Sequence, residues 1–507
     1  MESVSRKRKK LKMALTPSFK GRVSKNYSSG GEEEFWKWIQ SVDKTLGLLR
    51  SRPRDASTYR VPSKLRAMKH EAYTPQMVSI GPFHQLKDEL RAMEELKWIY
   101  MLAFVDRVVI SVKENTQVGE PGTSESPEMS ALCKCSKVIL EVEEKARAWY
   151  AEDIDLDKHK LVEMLLVDGC FILELFHRCK MINTQKFEDE FLQGPPESRV
   201  PFESLAGNFT MVQTLKHDLM LLENQIPYFV LQKLFDLVSS SKTASDGTHP
   251  DMSLEDYVFW FFDSVPMLRL NYLKAPINKK DGTYNHILEM LHHVCKVTFV
   301  PKLPSKRVPK SWGFTNCATG LFKSGFQIAR SYRSIVDVRF IGETLFIPQV
   351  TIDKSSDTIF RNLIALEQTS VGAHTVTSYV KLMSTLIRSP EDAKLLEQLD
   401  IIVKSDDIDD ISTFFKSLCS QVAFVDFCYT DMCNEVKNYG IPFWRWQRVK
   451  GYLSMKYVEW KVSIKDLKRD YFKNKWSFLA FLAALLVIVL GILQTFYTVR
   501  AYYPPYH

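Results

Sequence analysis

Between Lys475 and Arg500 the chain carries no charged residue, and the intervening run includes FLAFLAALLVIVLGIL. A stretch this apolar must either be buried or leave water. At about 1.5 Å per residue, a helix over 476–499 is long enough for the roughly 30 Å hydrocarbon core of a bilayer. Trp476, Phe496, Tyr497, Tyr502 and Tyr503 stand where an interfacial aromatic belt would sit. The expectation is therefore a C-terminal transmembrane helix, with the bilayer as one partner. Lys465, Lys468, Arg469, Lys473 and Lys475 precede the run and only Arg500 follows it, a bias that places the bulk of the chain in the cytosol. With so few residues after the span, the expected architecture is tail-anchored and inserted after translation. The sequons at Asn26 and Asn208 would matter only in the inverted topology.

The remaining composition narrows the options. The chain has 507 residues and a formal net charge of +8, but residues 1–25 alone hold nine Lys or Arg and one Glu. Everything beyond them is neutral overall. A nucleic-acid-binding domain carries its basic residues on a folded face, so nucleic acid is not an expected partner. Residues 1–31 read as a basic disordered tail, with nuclear targeting or attraction to anionic lipid as functional alternatives. Nine cysteines, odd in number and widely spread, fit reduced thiols better than a disulfide framework.

Hydrophobic periodicity describes a mainly α body over 32–470, followed by the span at 476–499 and a short tail at 500–507. Phe35, Trp36, Ile39, Val42 and Leu46 recur at helical spacing, as do apolar residues through 86–112, 129–150, 159–179, 202–222 and 227–239. Further helices are expected over 375–387, 411–428 and 443–461. Glu114 to Pro127, Gly194 to Arg199 and Ser239 to Pro250 read as surface loops. The exception to the helical pattern is 325–353, where β-branched residues concentrate and Val336, Val338 and Phe340 alternate with Asp337 and Arg339. Gly342-Glu343, between DVRFI and TLFIP, suits a type II′ hairpin turn. Ser355, Ser356 and Asp357 are placed to cap the helix that follows.

Several stretches, taken in order, resemble the plant "domain of unknown function 247" family. They are VSIGPFH (78–84), LRAMEELKWIYM (90–101), LLVDGCFILELF (165–176), ENQIPYFVL (223–231), LFIPQVTID (345–353) and FRNLIALEQ (360–368), with the C-terminal apolar run. The likeness extends over about 35–497. Family members often continue GPFH with a second His and a Gly, where this chain has Gln85 and Leu86; a role for paired histidines is therefore not expected. The resemblance implies a membrane-anchored plant protein without assigned chemistry, some grass relatives being implicated in pollen self-incompatibility.

No catalytic, cofactor-binding or metal-binding residue set emerges. Asp168 projects from an apolar face of the 161–176 helix, on which Glu163, Glu174 and His177 form a narrow polar strip. An unpaired carboxylate there would cost several kcal/mol, so a partner must exist. Backbone amides or an Arg would make it structural; a raised pKa would make it a general acid or base. Cys170 would be a nucleophile only if a His activated it. Glu223, Asn224, Gln225, Glu367 and Gln368 suit structure better than chemistry, the Asn224 or Gln225 amides being able to satisfy backbone groups ahead of Pro227. Cys133, Cys135, Cys179, His292, His293, Cys295, Cys428 and Cys433 lack the spacing of a zinc site. Lys323-Ser324-Gly325 matches neither a nucleophile elbow nor a phosphate loop. The expected function is a protein-interaction or recognition module with an unidentified protein partner; the alternative is an enzyme of unrecognised type near Asp168 and Cys170.

Overall fold

The computed structural model describes residues 29–51, 58–115, 126–183, 205–239, 252–268, 284–299, 314–439 and 475–502, apart from a few single positions within them and isolated positions between 453 and 464. Residues 1–28 of the basic tail, most of the expected loops at 114–127 and 239–250, the whole of 194–199 and most of the helix expected at 443–461 lie outside the described residues.

The body is mainly helical. Its first half contains α1 (Ser29–Ser51), α2 (Ser63–Met68), α3 (Arg91–Asn115), α4 (Pro127–Leu140), α5 (Glu143–Trp149), α6 (Lys158–Asn183), α7 (Phe209–Leu219), α8 (Tyr228–Ser239) and α9 (Leu254–Phe262). Helix α6 is the axis of this half, with α3, α4, α8 and α9 packed around it. Its residues from Leu161 to Phe176 are buried apart from Glu163, because the sequence offers apolar side chains on nearly every face. Glu174 departs from the expected polar strip: it is 3% exposed and ion-paired to Arg178 at 2.6 Å and Arg107 at 3.1 Å.

The second half contains α10 (Ile287–Lys296), α11 (Ala318–Lys323), β1 (Gln327–Ser331), β2 (Arg339–Ile341), β3 (Thr344–Pro348), β4 (Val350–Ile352), α12 (Lys354–Thr369), α13 (Thr375–Leu386), α14 (Pro390–Gln398), β5 (Ile402–Lys404), α15 (Ile411–Leu418) and α16 (Thr430–Tyr439). The expected hairpin forms as the antiparallel pair β2–β3, turning at Gly342, whose φ is +64°. To it the fold adds β1, parallel to β3, and a separate parallel pair of β4 with β5. These parallel pairings join strands distant in sequence and carry no local turn signal. Asp353, rather than Ser355, Ser356 or Asp357, is the N-cap of α12: its Oδ1 accepts the Ser355 and Ser356 amides at 3.1 and 2.9 Å, and Ser356 Oγ completes a capping box by accepting the Asp353 amide at 3.0 Å. Helix α15 stops at Leu418, where the sequence suggested continuation to 428.

The C-terminal apolar run forms α17 (Lys475–Tyr502). Among the described residues, however, no helix is long and apolar enough to cross a membrane. The expected transmembrane helix at 476–499, and the tail-anchored architecture resting on it, are therefore corrected. The continuous stretch whose side chains are described is 486–498, exposed throughout and ending in Gln494, Thr495 and Thr498.

Candidate functional site

A chain segment without regular structure, 74–87, crosses the first half and brings VSIGPFH against the middle of α6 and the C-terminal end of α7. Such a segment must find partners for its own amides and carbonyls, since no ladder supplies them. The side chains that do so come from the stretch between α7 and α8 and from α6. Asp218, fully buried, accepts the amides of Gln76 at 2.9 Å, Met77 at 2.7 Å and Val78 at 2.9 Å. Asn224 accepts the Ile80 amide at 2.7 Å and donates to the carbonyls of Val78 and Asp218, both at 3.0 Å. Gln225 donates to Leu219 and Leu221 carbonyls at 2.7 and 2.9 Å, closing the turn after α7.

Asp168 lies at the centre of this junction and has its partner. Lys97 of α3 approaches its Oδ1 at 2.7 Å, and the Gly81 amide donates to Oδ2 at 2.7 Å. Lys97 also donates to the Ser79 carbonyl at 3.0 Å and meets the half-exposed Glu94 at 2.9 Å. Burial alone would depress the Lys97 ammonium, but Asp168 and then Glu94 outweigh it and hold its pKa above the ordinary lysine value. Gly81 is required here. Its φ is +74°, and a Cβ would come within 2.6 Å of the Gln225 carbonyl oxygen. Lys97 was not singled out from the sequence, yet a signal exists: it stands four residues after Met93 and four before Met101, both buried, on the apolar stripe of α3.

The outer edge of the junction is a charged cluster around Glu223, itself 1% exposed. Its Oε1 accepts the Val61 amide at 2.7 Å and a close contact from Arg66. Arg60 lies 3.9 Å from Oε2, stacks over Phe83 at 4.5 Å and pairs with Glu152 at 2.7 Å. His84 is 3% exposed, with Nε2 3.5 Å from Glu223 Oε2. Burial first, then Lys87, Arg66 and Arg60, push its pKa down to about 3, so the imidazole is neutral at physiological pH.

Cys170 lies two residues from Asp168, fully buried, and burial holds its thiol well above the ordinary value. No histidine among the described residues is hydrogen-bonded to it, so the expected activation of a thiolate is not seen among them. Cys135, Cys179, Cys295, Cys428 and Cys433 are likewise raised by burial. Glu367 and His292 meet at 2.7 Å, with Glu367 also accepting the amides of Val376 and Thr377, both at 2.8 Å. Burial would raise Glu367, but His292 and Thr377 overcome it and lower its pKa. This carboxylate caps α13 from inside the core. No group of three or more His, Cys, Asp or Glu placed to hold a metal occurs among the described residues. The chemistry available at the junction is hydrogen bonding and ion pairing that hold 74–87 in place.

A model of a plant protein family of unknown function, DUF247, matches residues 58–490, and the motif stretches from 78 to 368 all fall within that match. The UPF0481 protein At3g47200 of Arabidopsis thaliana is 26% identical over 504 positions, covering 94% of this chain and 91% of its own length. A second Arabidopsis thaliana relative with the same UPF0481 designation, At3g02645, is 23% identical over 559 positions, covering 91% of this chain and 94% of its own. Neither name carries an activity or a substrate. No solved structure matches the chain.

Proposed function

The chain belongs to the plant family of unknown function DUF247, and we propose that it acts as a protein-interaction module whose docking face is the outer side of α3. One observation carries this reading. Trp98, Leu102 and Ile110 are 46%, 53% and 55% exposed, at four-residue spacing with Asp106 completing the series, on a helix whose opposite face is deep in the core. Tyr100, Phe104 and Val108 anchor that opposite face, and Lys97 pins it to Asp168. The exposed stripe is therefore rigid before any partner arrives, which lowers the entropic cost of binding.

The partner chemistry follows from charge. Asp106 makes no ion pair among the described residues; burial raises its carboxyl pKa, and Glu128 and Glu174 raise it further. A cation set beside it would relieve that crowding. The occupant is an amphipathic helix of another protein, its apolar side chains meeting Trp98, Leu102 and Ile110 and a Lys or Arg meeting Asp106. Trp98 is the expected anchor, tryptophan being enriched among residues that dominate interfaces. The enzyme alternative at Asp168 and Cys170 is disfavoured, because Asp168, although burial raises its pKa, is held by Lys97 and Gly81, and Cys170 is a buried, protonated thiol.

Proximity labelling in plant tissue tests the reading, comparing the native protein with Trp98→Ala, Leu102→Asp and Asp106→Lys. Each variant should melt like the parent and lose the same subset of labelled proteins. Correctly folded variants that recover an unchanged set would overturn it.

A further inference from the structure

The turn that ends α9 places a serine hydroxyl against a buried amine. Lys216 of α7 is 6% exposed, and its Nζ lies 2.6 Å from Ser264 Oγ. Ser264 itself is exposed. Lys216 makes no ion pair among the described residues and instead packs its ammonium over the Phe261 ring, 5.0 Å from the centroid. On the same face of α7, Gln213 directs its side-chain amide to Ser264 Oγ at 3.4 Å. This arrangement is separate from the junction at Asp168 and from the docking stripe on α3.

We propose that Ser264 and Lys216 form a serine–lysine dyad that accepts acyl groups from activated esters or thioesters. Nζ, once deprotonated, takes the hydroxyl proton as Oγ forms a bond to the acyl carbon; the bond to the leaving alcohol or thiol breaks, and that group takes the proton from Nζ. Water then attacks the acyl-serine, its proton passing to Nζ and on to Oγ, which releases a carboxylic acid and restores the serine. Gln213, donating to Oγ, helps to fix the position of the hydroxyl beside Nζ. A desolvated lysine is a recognised way to activate a nucleophile at neutral pH.

Burial moves the balance toward the free amine, while the Phe261 face stabilises the ammonium. Burial lowers the Lys216 pKa from the ordinary lysine value; the groups that oppose it are Cys179 of α6 and Asp263 beside Ser264, and they do not restore it. Reactivity should accordingly rise with pH and reach its plateau below the range of a solvent-exposed lysine.

The full-length protein would be treated with a fluorophosphonate probe, and with p-nitrophenyl acetate in parallel, and the adducts located by peptide mass spectrometry. The expected result is an adduct at Ser264 forming at least about tenfold faster than at the other exposed serines, as base assistance requires. Ser264→Ala should abolish it. Lys216→Arg, which keeps a cation and a donor but removes the base, and Lys216→Met should each slow it at least about tenfold while the protein still melts cooperatively. Labelling spread evenly over exposed serines, or labelling of Ser264 that is as fast in both Lys216 variants, would overturn the dyad. Either result leaves the docking face on α3 untouched, since Trp98 and its neighbours take no part.

Discussion

Lys97→Met tests the buried ion pair most directly. The substitution keeps the length of the side chain and removes the only cation within 4 Å of Asp168 among the described residues. Asp168 is then left with one hydrogen bond, from the Gly81 amide. Removing one partner of a buried pair costs about 3–5 kcal/mol, because the remaining charge is uncompensated. The loss is capped by protonation. Burial already holds the Asp168 carboxyl above its ordinary value, with Lys97 and the Gly81 amide opposing it; without the cation the folded-state pKa rises further above its unfolded value of about 3.9. A group shifted in that direction contributes stability that is present below the unfolded pKa and lost as pH rises through the folded one. Urea unfolding of both proteins from pH 5 to pH 8 should therefore show a deficit in Lys97→Met that grows with pH. The double variant Lys97→Met/Asp168→Leu should recover most of it, less about 1–3 kcal/mol for the stranded Gly81 amide. A deficit that is constant across this pH range, or a double variant no more stable than Lys97→Met, would refute the reasoning.

Gly81→Ala should destabilise by about 1–3 kcal/mol through left-handed strain and the clash with the Gln225 carbonyl, whereas Gly342→Ala, at φ +64° with nothing within 4 Å, should cost about 1–2 kcal/mol from strain alone; thermal melts distinguish them. Asp218→Ala should increase hydrogen exchange at the amides of Gln76, Met77 and Val78, with protection elsewhere in the first half retained. Glu367, with its pKa lowered, contributes stability that is present above the unfolded value of about 4.3 and lost as pH falls through the folded one. Acid unfolding of Glu367→Gln should accordingly be shallower than that of the parent. Iodoacetamide under native conditions should alkylate the exposed Cys133 and spare Cys170; early Cys170 modification would mean that α6 opens readily.

Helices α3, α4 and α8 around α6 were legible from their apolar positions at helical spacing, whereas α9, only nine residues long, was not expected. The β2–β3 hairpin was legible because two residues fix its turn. The limits lie where structure depends on distant partners. Asp168 could be read as buried and paired, but nothing near it in sequence identifies Lys97, 71 positions away, as the partner. The Asn224 and Gln225 amides suit backbone satisfaction at the junction, and they supply it; Glu223, expected only to be structural, accepts the Val61 amide, anchors Arg66 and faces Arg60 and His84. The parallel strands and the Ser264–Lys216 contact lacked any local signature. The C-terminal run shows the opposite failure, in which strong local hydrophobicity led to a membrane span that the described helix does not bear out.

The bonds that hold 58–81 have a consequence for the order of assembly on the ribosome. Asn362 of α12 donates to the Ala72 carbonyl at 2.7 Å across 290 positions and accepts the Leu222 amide at 2.9 Å. Asp218, Glu223 and Asn224 are likewise synthesised about 140 residues or more after the amides they bind. The N-terminal segment thus leaves the exit tunnel with no local ladder and waits through most of synthesis for its partners. At about 5–20 residues per second, the 290 positions separating Ala72 from Asn362 correspond to roughly 15–60 seconds of nascent chain with these groups in water. The slow step of folding should therefore be the docking of this segment, and the newly made chain should depend on chaperones until α12 has emerged.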